Sequence, residues 1–376
     1  MPGSVLSTAH PREAPIPWHF SPVTQPGGAS SGSGSRLLTI TSAIPATITA
    51  SPTSAAAGGC WPRISAGVRS GSVTSSSVPD SCPVRTLLLM AVGVVAVSLS
   101  GPLMAAAVVP PLAIAFWRNA FGTLAIAPGA VLRRREELRA MRGRRLGLVL
   151  LSGLMLAVHF ATWVTSLTLT SVASATAIVC LQLAWIVLWH MSRGDRFNAR
   201  VLLGLGTAFA GVLVVSGVDF TLSTRALLGD VLALVGGMAA AAYTVIGSRA
   251  RQSASTTTYT FVCYGSCAAV LAVACLVAGQ DLGGYPLEQW GLLLLVTATA
   301  QLMGHSVFNH LLATTSPMYV SLALLLEVPG AALLAALILG QQPPAAALAG
   351  LAVMVAGMAL VIVSNREPLP DEAPPG

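Results

Sequence analysis

The sequence predicts an all-α polytopic membrane protein of ten transmembrane helices, arranged as two inverted five-helix repeats. Three observations carry this. The 376 residues are 54% hydrophobic and only 9% charged, with mean hydropathy +0.76, whereas soluble domains average about 25% charged residues. From Arg85 onward the apolar residues fall into ten runs close to bilayer length, about 20 residues each. Several Gly and polar positions recur at an offset of 146 residues.

Residues 1–84 are rich in Ser, Pro, Gly, Ala and Thr without amphipathic period, a composition that cannot bury enough to fold alone. No charged n-region followed by an apolar h-region opens at Met1, which argues against a cleaved signal peptide. The segment reads as a disordered tail or as translation from an upstream start codon, and the second is favoured. The ten runs follow at about 86–107, 111–132, 146–168, 171–192, 199–218, 229–248, 257–279, 288–310, 316–339 and 344–364. Their connections are short, so successive helices are antiparallel neighbours. Residues 367–376 are polar and Pro-rich and read as a disordered tail.

Charge sets the orientation. The net charge is +7, and all 20 basic residues are Arg. Seven lie in 133–145; Arg193, Arg196 and Arg200 follow the fourth run, and Arg249 and Arg251 the sixth. These are alternate loops, with Arg85 and Arg366 at the two ends, while the opposite loops hold only Arg225. The positive-inside rule puts both termini in the cytoplasm and explains the basic total without nucleic acid. The six cysteines show no metal-site spacing, and Cys180, Cys263, Cys267 and Cys275 read as small apolar packing residues.

The repeat appears in register across three pairs of runs. Gly194, Gly204 and Gly211 match Gly340, Gly350 and Gly357, and His159 matches His305, all at an offset of 146. Gln182 and Glu327 differ by 145. A duplicated unit of five helices must insert its two copies in opposite orientations, which places a site at the repeat interface near the midplane. The spaced glycines read as close helix packing, within the bundle or at a homodimer contact.

One acid stands in the middle of a span. Glu327 lies roughly 16 Å into the ninth run, near the midplane of a ~30 Å core, with Pro329 two residues on. An ionised acid there costs at least about 3 kcal/mol on insertion scales, so it faces a cavity or a partner; a protonated Glu bonded to a neighbouring helix is the plain alternative. Further polar groups point the same way. The eighth run spaces Thr297, Gln301, His305 and Asn309 four apart, and the third offers His159, Thr162, Trp163 and Ser166. Gln182, Trp185, Tyr243 and Tyr264 join them, Tyr264 matching Arg118 at the same offset. These line a solute path or serve as interhelical hydrogen bonds of about 0.6 kcal/mol each. Arg118 binds a substrate carboxylate, snorkels to the interface, or pairs with Glu327. With His159 and His305, Glu327 makes a proton relay an expectation.

Three stretches resemble a known family. AIAFWRNAFG (113–122), RGDRFNARVLLGLGTAFAGVLVVSG (193–217), and GDVLALVGGMAAAAYTVIGSRAR (229–251) with LLLEVPGAALLAALILGQQP (324–343) are similar to EamA-type members of the drug/metabolite transporter superfamily. The resemblance implies ten helices, an inverted 5+5 repeat, and export or uptake of small metabolites without ATP or a bound cofactor. Efflux of a small metabolite, amino acid or drug-like solute across the plasma membrane is the expectation. The family often has Pro in the middle of the fourth helix; here Leu183 stands there, which predicts a fourth helix straighter than the ninth. A membrane enzyme is the first alternative, against which stand the missing H-E-x-x-H and G-x-S-x-G motifs. An assembly subunit is the second; its polar stripes would face a partner protein.

Overall fold

The computed structural model describes residues 84–217 and 223–364, and the described residues are helical with short connections. The long N-terminal segment with Cys60 and Cys82, and the C-terminal residues from Asn365 with Arg366, lie outside them. In chain order the long helices are α1 (Val84–Ala105), α2 (Pro111–Arg133), α3 (Gly143–Ser166), α4 (Val172–Ser192), α5 (Ala199–Gly217), α6 (Thr224–Arg251), α7 (Thr256–Val277), α8 (Leu287–Leu311), α9 (Pro317–Leu339) and α10 (Ala345–Ser364). Seven of them, α1, α3, α4 and α6–α9, are long and apolar enough to cross a membrane. Shorter apolar stretches lie in α5 and α10, and the 23-residue α2 carries Arg118. A short helix, Arg135–Ala140, links α2 to α3.

Equivalent helices of the two repeats pack antiparallel. A Cβ on Gly204 would meet the Gly357 carbonyl at 2.8 Å, and one on Gly211 the Gly350 carbonyl at 2.6 Å; the reverse contacts are as close. Only glycine allows backbones this near. These glycines therefore close α5 onto α10 within one chain, the first of the two packing roles expected for them. The α2–α7 pair crosses in the same sense, with Gly122 against Tyr264 and Gly129 against Thr257. The closing turns after α4 and α9 are also equivalent: Gly194 at φ 91° and Gly340 at φ 67° occupy the left-handed region that ends a helix without a Cβ penalty.

Both α4 and α9 are broken, and here the expectation of a straighter α4 is corrected. Helix α4 stops at Val179 and restarts at Gln182; α9 stops at Leu324 and restarts at Glu327. Pro329 accounts for α9, since it has no N–H to return to the preceding turn. In α4 tertiary contacts do the same work. Gly237 of α6 brings its backbone against the Val179 carbonyl, where a Cβ would sit at 2.8 Å. The Cys180 thiol donates to the Leu324 carbonyl at 3.6 Å, joining one break to the other. The local ladder tightens to three-residue bonds, Leu181 to Ile178 at 3.0 Å and Ala184 to Leu181 at 2.8 Å.

Helix α8 departs from α geometry in another way: Thr297–His305 is π-helical, and the Ser306 N–H bonds back to the Gln301 carbonyl. The polar stripe keeps to the inner side of the bundle, with Thr297, Gln301 and Asn309 buried, and its members meet different neighbours.

Candidate functional site: a cavity on the repeat interface

A cavity of about 40 Å³ lies where the breaks of α4 and α9 meet. Its walls are built from repeat-equivalent pairs: His159 with His305, Gln182 with Glu327, Val97 with Tyr243, and Val179 with Leu324. Trp163, Cys180 and Ala240 complete the lining. Six of the eleven candidate residues, His159, Trp163, Gln182, Tyr243, His305 and Glu327, are thus brought together.

Glu327 and Gln182 each open a half-helix. The turn before each restart takes up the N–H groups that follow it, Val328 to Leu325 at 3.2 Å and Gly330 to Leu326 at 3.4 Å in α9 and Ala184 to Leu181 at 2.8 Å in α4, and Pro329 has none to offer. Glu327 is 8% exposed, and among the described residues no basic nitrogen lies within 4 Å of its carboxylate. The His159 ring stacks on Trp163 at 5.5 Å between centroids and lies 6.4 Å from His305. His159 Nδ1 is 3.0 Å from the Gly236 carbonyl. A carbonyl can only accept, so Nδ1 carries a proton. The Trp163 indole N–H is buried without a partner among the described residues.

The other five candidates lie elsewhere. Arg118 is fully buried, so it does not snorkel, and it does not reach Glu327 within ion-pairing distance. Its Nε donates to Gln301 Oε1 at 2.9 Å and its Nη1 to Ser100 Oγ at 3.1 Å and Met104 Sδ at 3.3 Å, and the guanidinium lies 4.1 Å over the Phe160 ring. Gln301 Nε2 donates onward to Asn119 Oδ1 at 3.0 Å. Asn309 accepts from the Tyr243 hydroxyl at 2.6 Å and donates to Tyr264 at 3.2 Å, and Tyr264 meets Ser306 at 3.2 Å. Of the α8 stripe only His305 reaches the cavity; Gln301 and Asn309 tie helices together, and Thr297 bonds its own helix at Leu293. Trp185 lines a separate groove on the outer face of α4 and α6.

Two polar residues were missed in sequence. Asp230, 4% exposed in α6, accepts from Thr170 at 3.0 Å and Ser174 at 3.1 Å, tying α6 to the start of α4. Arg251, read only as a loop charge, donates to the Asn309 carbonyl at 2.8 Å and to Thr256 at 2.8 Å, and also to the Ala254 carbonyl. Neither carries a sequence signal beyond its type at a helix end.

The connections are latched at both ends of α2. Beyond its C-terminal end, Glu137 Oε1 accepts from the Ser255 N–H at 2.6 Å, at the start of α7. At its N-terminal end, Gln280 Oε1 accepts from the Leu112 N–H at 3.0 Å, and the Trp117 indole donates to Leu282 at 2.9 Å.

The EamA-like transporter family profile matches residues 84–217 and again 227–363, one match per five-helix unit. An uncharacterized transporter from Archaeoglobus fulgidus is 32% identical over 106 residues, 28% of this chain and 36% of that protein. The chain thus spans about a third of that relative's length. One solved crystal structure matches with TM-score 0.60 at 18% identity, over 76% of this chain and 99% of the other, which is a likeness of fold. The two-fold family match makes this chain an integral membrane protein of a transporter class: it belongs to the EamA-like transporter family.

Proposed function

We propose that the chain is a secondary active transporter that exports a small metabolite or drug-like solute by alternating access, with proton movement coupled through Glu327. The observation that carries this reading is the cavity of repeat-equivalent pairs, in which one carboxylate, on a half-helix start, faces a neutral Gln in the other half. In this reading all ten long helices cross the membrane, and the repeats are inverted, a reading the antiparallel α5–α10 and α2–α7 pairs support. Both termini lie in the cytoplasm of a plasma-membrane protein, as the alternation of Arg-bearing loops favours.

A cavity of about 40 Å³ holds a few waters, while solute sites run to several hundred Å³. The structure is read as an occluded state with both ends latched. Opening one end parts the half-helices of α4 and α9 and widens the cavity around His159, Trp163, Tyr243 and His305. Arg118, Gln301, Asn309 and Tyr264 act as the frame that holds this arrangement. The solute and the proton take turns at Glu327, so a gradient of one drives the other.

The test is solute flux in proteoliposomes with and without a pH gradient, for solutes found by comparing the metabolites of cells lacking and overproducing the protein. The wild type responds to the gradient and Glu327→Gln does not. An unchanged response in Glu327→Gln removes the proton role.

A further inference from the structure

We infer that the groove between α4 and α6 is a binding site for an anionic phospholipid. It measures about 290 Å³ and is lined by Trp185, Trp189, Met238, Ala241, Val245 and Arg249, among others. Its length is apolar, but one end is not. The Arg249 guanidinium lies 5.9 Å from the centre of the Trp189 ring and that of Arg193 5.6 Å from the same ring. Both arginines are exposed, and neither lies within ion-pairing distance of a carboxylate among the described residues. The nearby Asp195 is engaged by His190 at 2.7 Å. Two uncompensated guanidinium groups flanking one indole, at the end of a hydrocarbon-lined slot, match the two parts of a phospholipid. The phosphate suits Arg, the acyl chain suits the slot, and Trp189 suits the boundary between them.

The second repeat shows that the fold does not require this groove. Trp185, Trp189, Arg193 and Arg249 have Gly330, Leu334, Leu339 and Leu103 at the equivalent positions. Gly330 packs directly on Ser98, so the place that Trp185 fills in the first half has no side chain in the second. The aromatic and basic residues therefore stand in one half of the molecule alone. They lie at the end that carries the Arg-rich loops, which faces the anionic leaflet under the positive-inside rule. The Trp185 indole N–H, buried without a partner among the described residues, is a further donor at this wall.

The test uses the full chain in phosphatidylcholine vesicles containing a minor share of phosphatidylglycerol, with either lipid brominated to quench tryptophan. Trp189→Phe identifies the share of the signal that comes from the groove. Brominated phosphatidylglycerol is expected to quench that share several-fold more than its mole fraction predicts, and Arg193→Gln/Arg249→Gln is expected to return it to parity. Quenching that follows mole fraction alone in the wild type overturns the proposal, as does a preference that survives in the double variant. Both substitutions are at exposed side chains, and the wild-type comparison stands without them. No transport is measured, so this result is separate from the fate of the transport reading.

Discussion

Gln182 and Glu327 occupy the same place in opposite halves of the molecule: each is the first residue of a restarted helix, and both line the same cavity. One position is ionisable and the other is not. A coupling site that must change its charge once per cycle needs only one such group.

Exchange of the two side chains tests that relationship. Glu327→Gln removes a carboxylate whose charge costs about 3 kcal/mol at mid-membrane, so its thermal stability in detergent equals or exceeds that of the wild type by up to about that amount. Its gradient-driven flux is lost. The double variant Gln182→Glu/Glu327→Gln puts the acid at the other half-helix start and regains part of the pH-gradient response. A double variant as inactive as Glu327→Gln, yet equally stable, would show that the two positions are not interchangeable.

The α5–α10 contact separates two kinds of glycine. A Cβ on Gly357 would lie 2.3 Å from the Ala208 nitrogen and 2.6 Å from the Gly204 carbonyl, both backbone atoms that cannot yield. Gly357→Ala costs about 3 kcal/mol or more, at the upper end of overpacking. Gly206, on the same helix pair, has nothing within 4 Å of the same built atom. Gly206→Ala stabilises by about 0.5–1 kcal/mol through helix propensity. Thermal unfolding in detergent should move in opposite directions for the two.

Much of this was legible in sequence because membrane insertion writes itself into composition. Run length and the 146-residue offset follow from bilayer thickness and duplication, each a local or periodic signal. The offset also marks the cavity, which His159 and His305, Gln182 and Glu327 line together. The break in α4 was not legible. It depends on Gly237 and Leu324, residues from other helices, rather than on a local proline. The α8 stripe was legible as an inward face but not in its partners, which other helices supply: Gln301 meets Arg118, Asn309 meets Tyr243 and Tyr264, and His305 reaches the cavity.

The latch at Glu137 carries a pH dependence. Partial burial by itself pushes its carboxyl up, but the Ser255 N–H and hydroxyl, with the Thr258 hydroxyl and the Arg134 charge, outweigh this and hold it below the usual range. A group depressed in the folded state contributes stability above its unfolded value, about 4.5, and loses it as pH falls through the folded one. Wild-type melting temperature therefore drops more between pH 5 and 3 than that of Glu137→Gln. The difference stays under about 1 kcal/mol, because the group is half-exposed and screened. Parallel melting curves for the two proteins across that range would remove the latch as a source of stability.

Arg118 and Gln301 form the other buried pair whose cost can be apportioned. Gln301 accepts from the Arg118 Nε and donates to Asn119, so it satisfies a cation and an amide at once. Gln301→Leu takes the acceptor from the Arg118 Nε and the donor from the Asn119 Oδ1 in a fully buried setting, and breaking a buried charged contact from one side costs about 3–5 kcal/mol. Arg118→Met removes the charge itself. It leaves only the neutral Gln301 Oε1 and Ser100 hydroxyl, each about 1–3 kcal/mol when unsatisfied. The double variant Arg118→Met/Gln301→Leu removes the charge and its acceptor together, leaving Asn119 and Ser100. It should be more stable than Gln301→Leu alone by about 1–2 kcal/mol, a positive coupling in a double-mutant cycle. Strict additivity of the two single changes would mean that the 2.9 Å contact adds nothing, and that Arg118 is held by Phe160 and Ser100 instead.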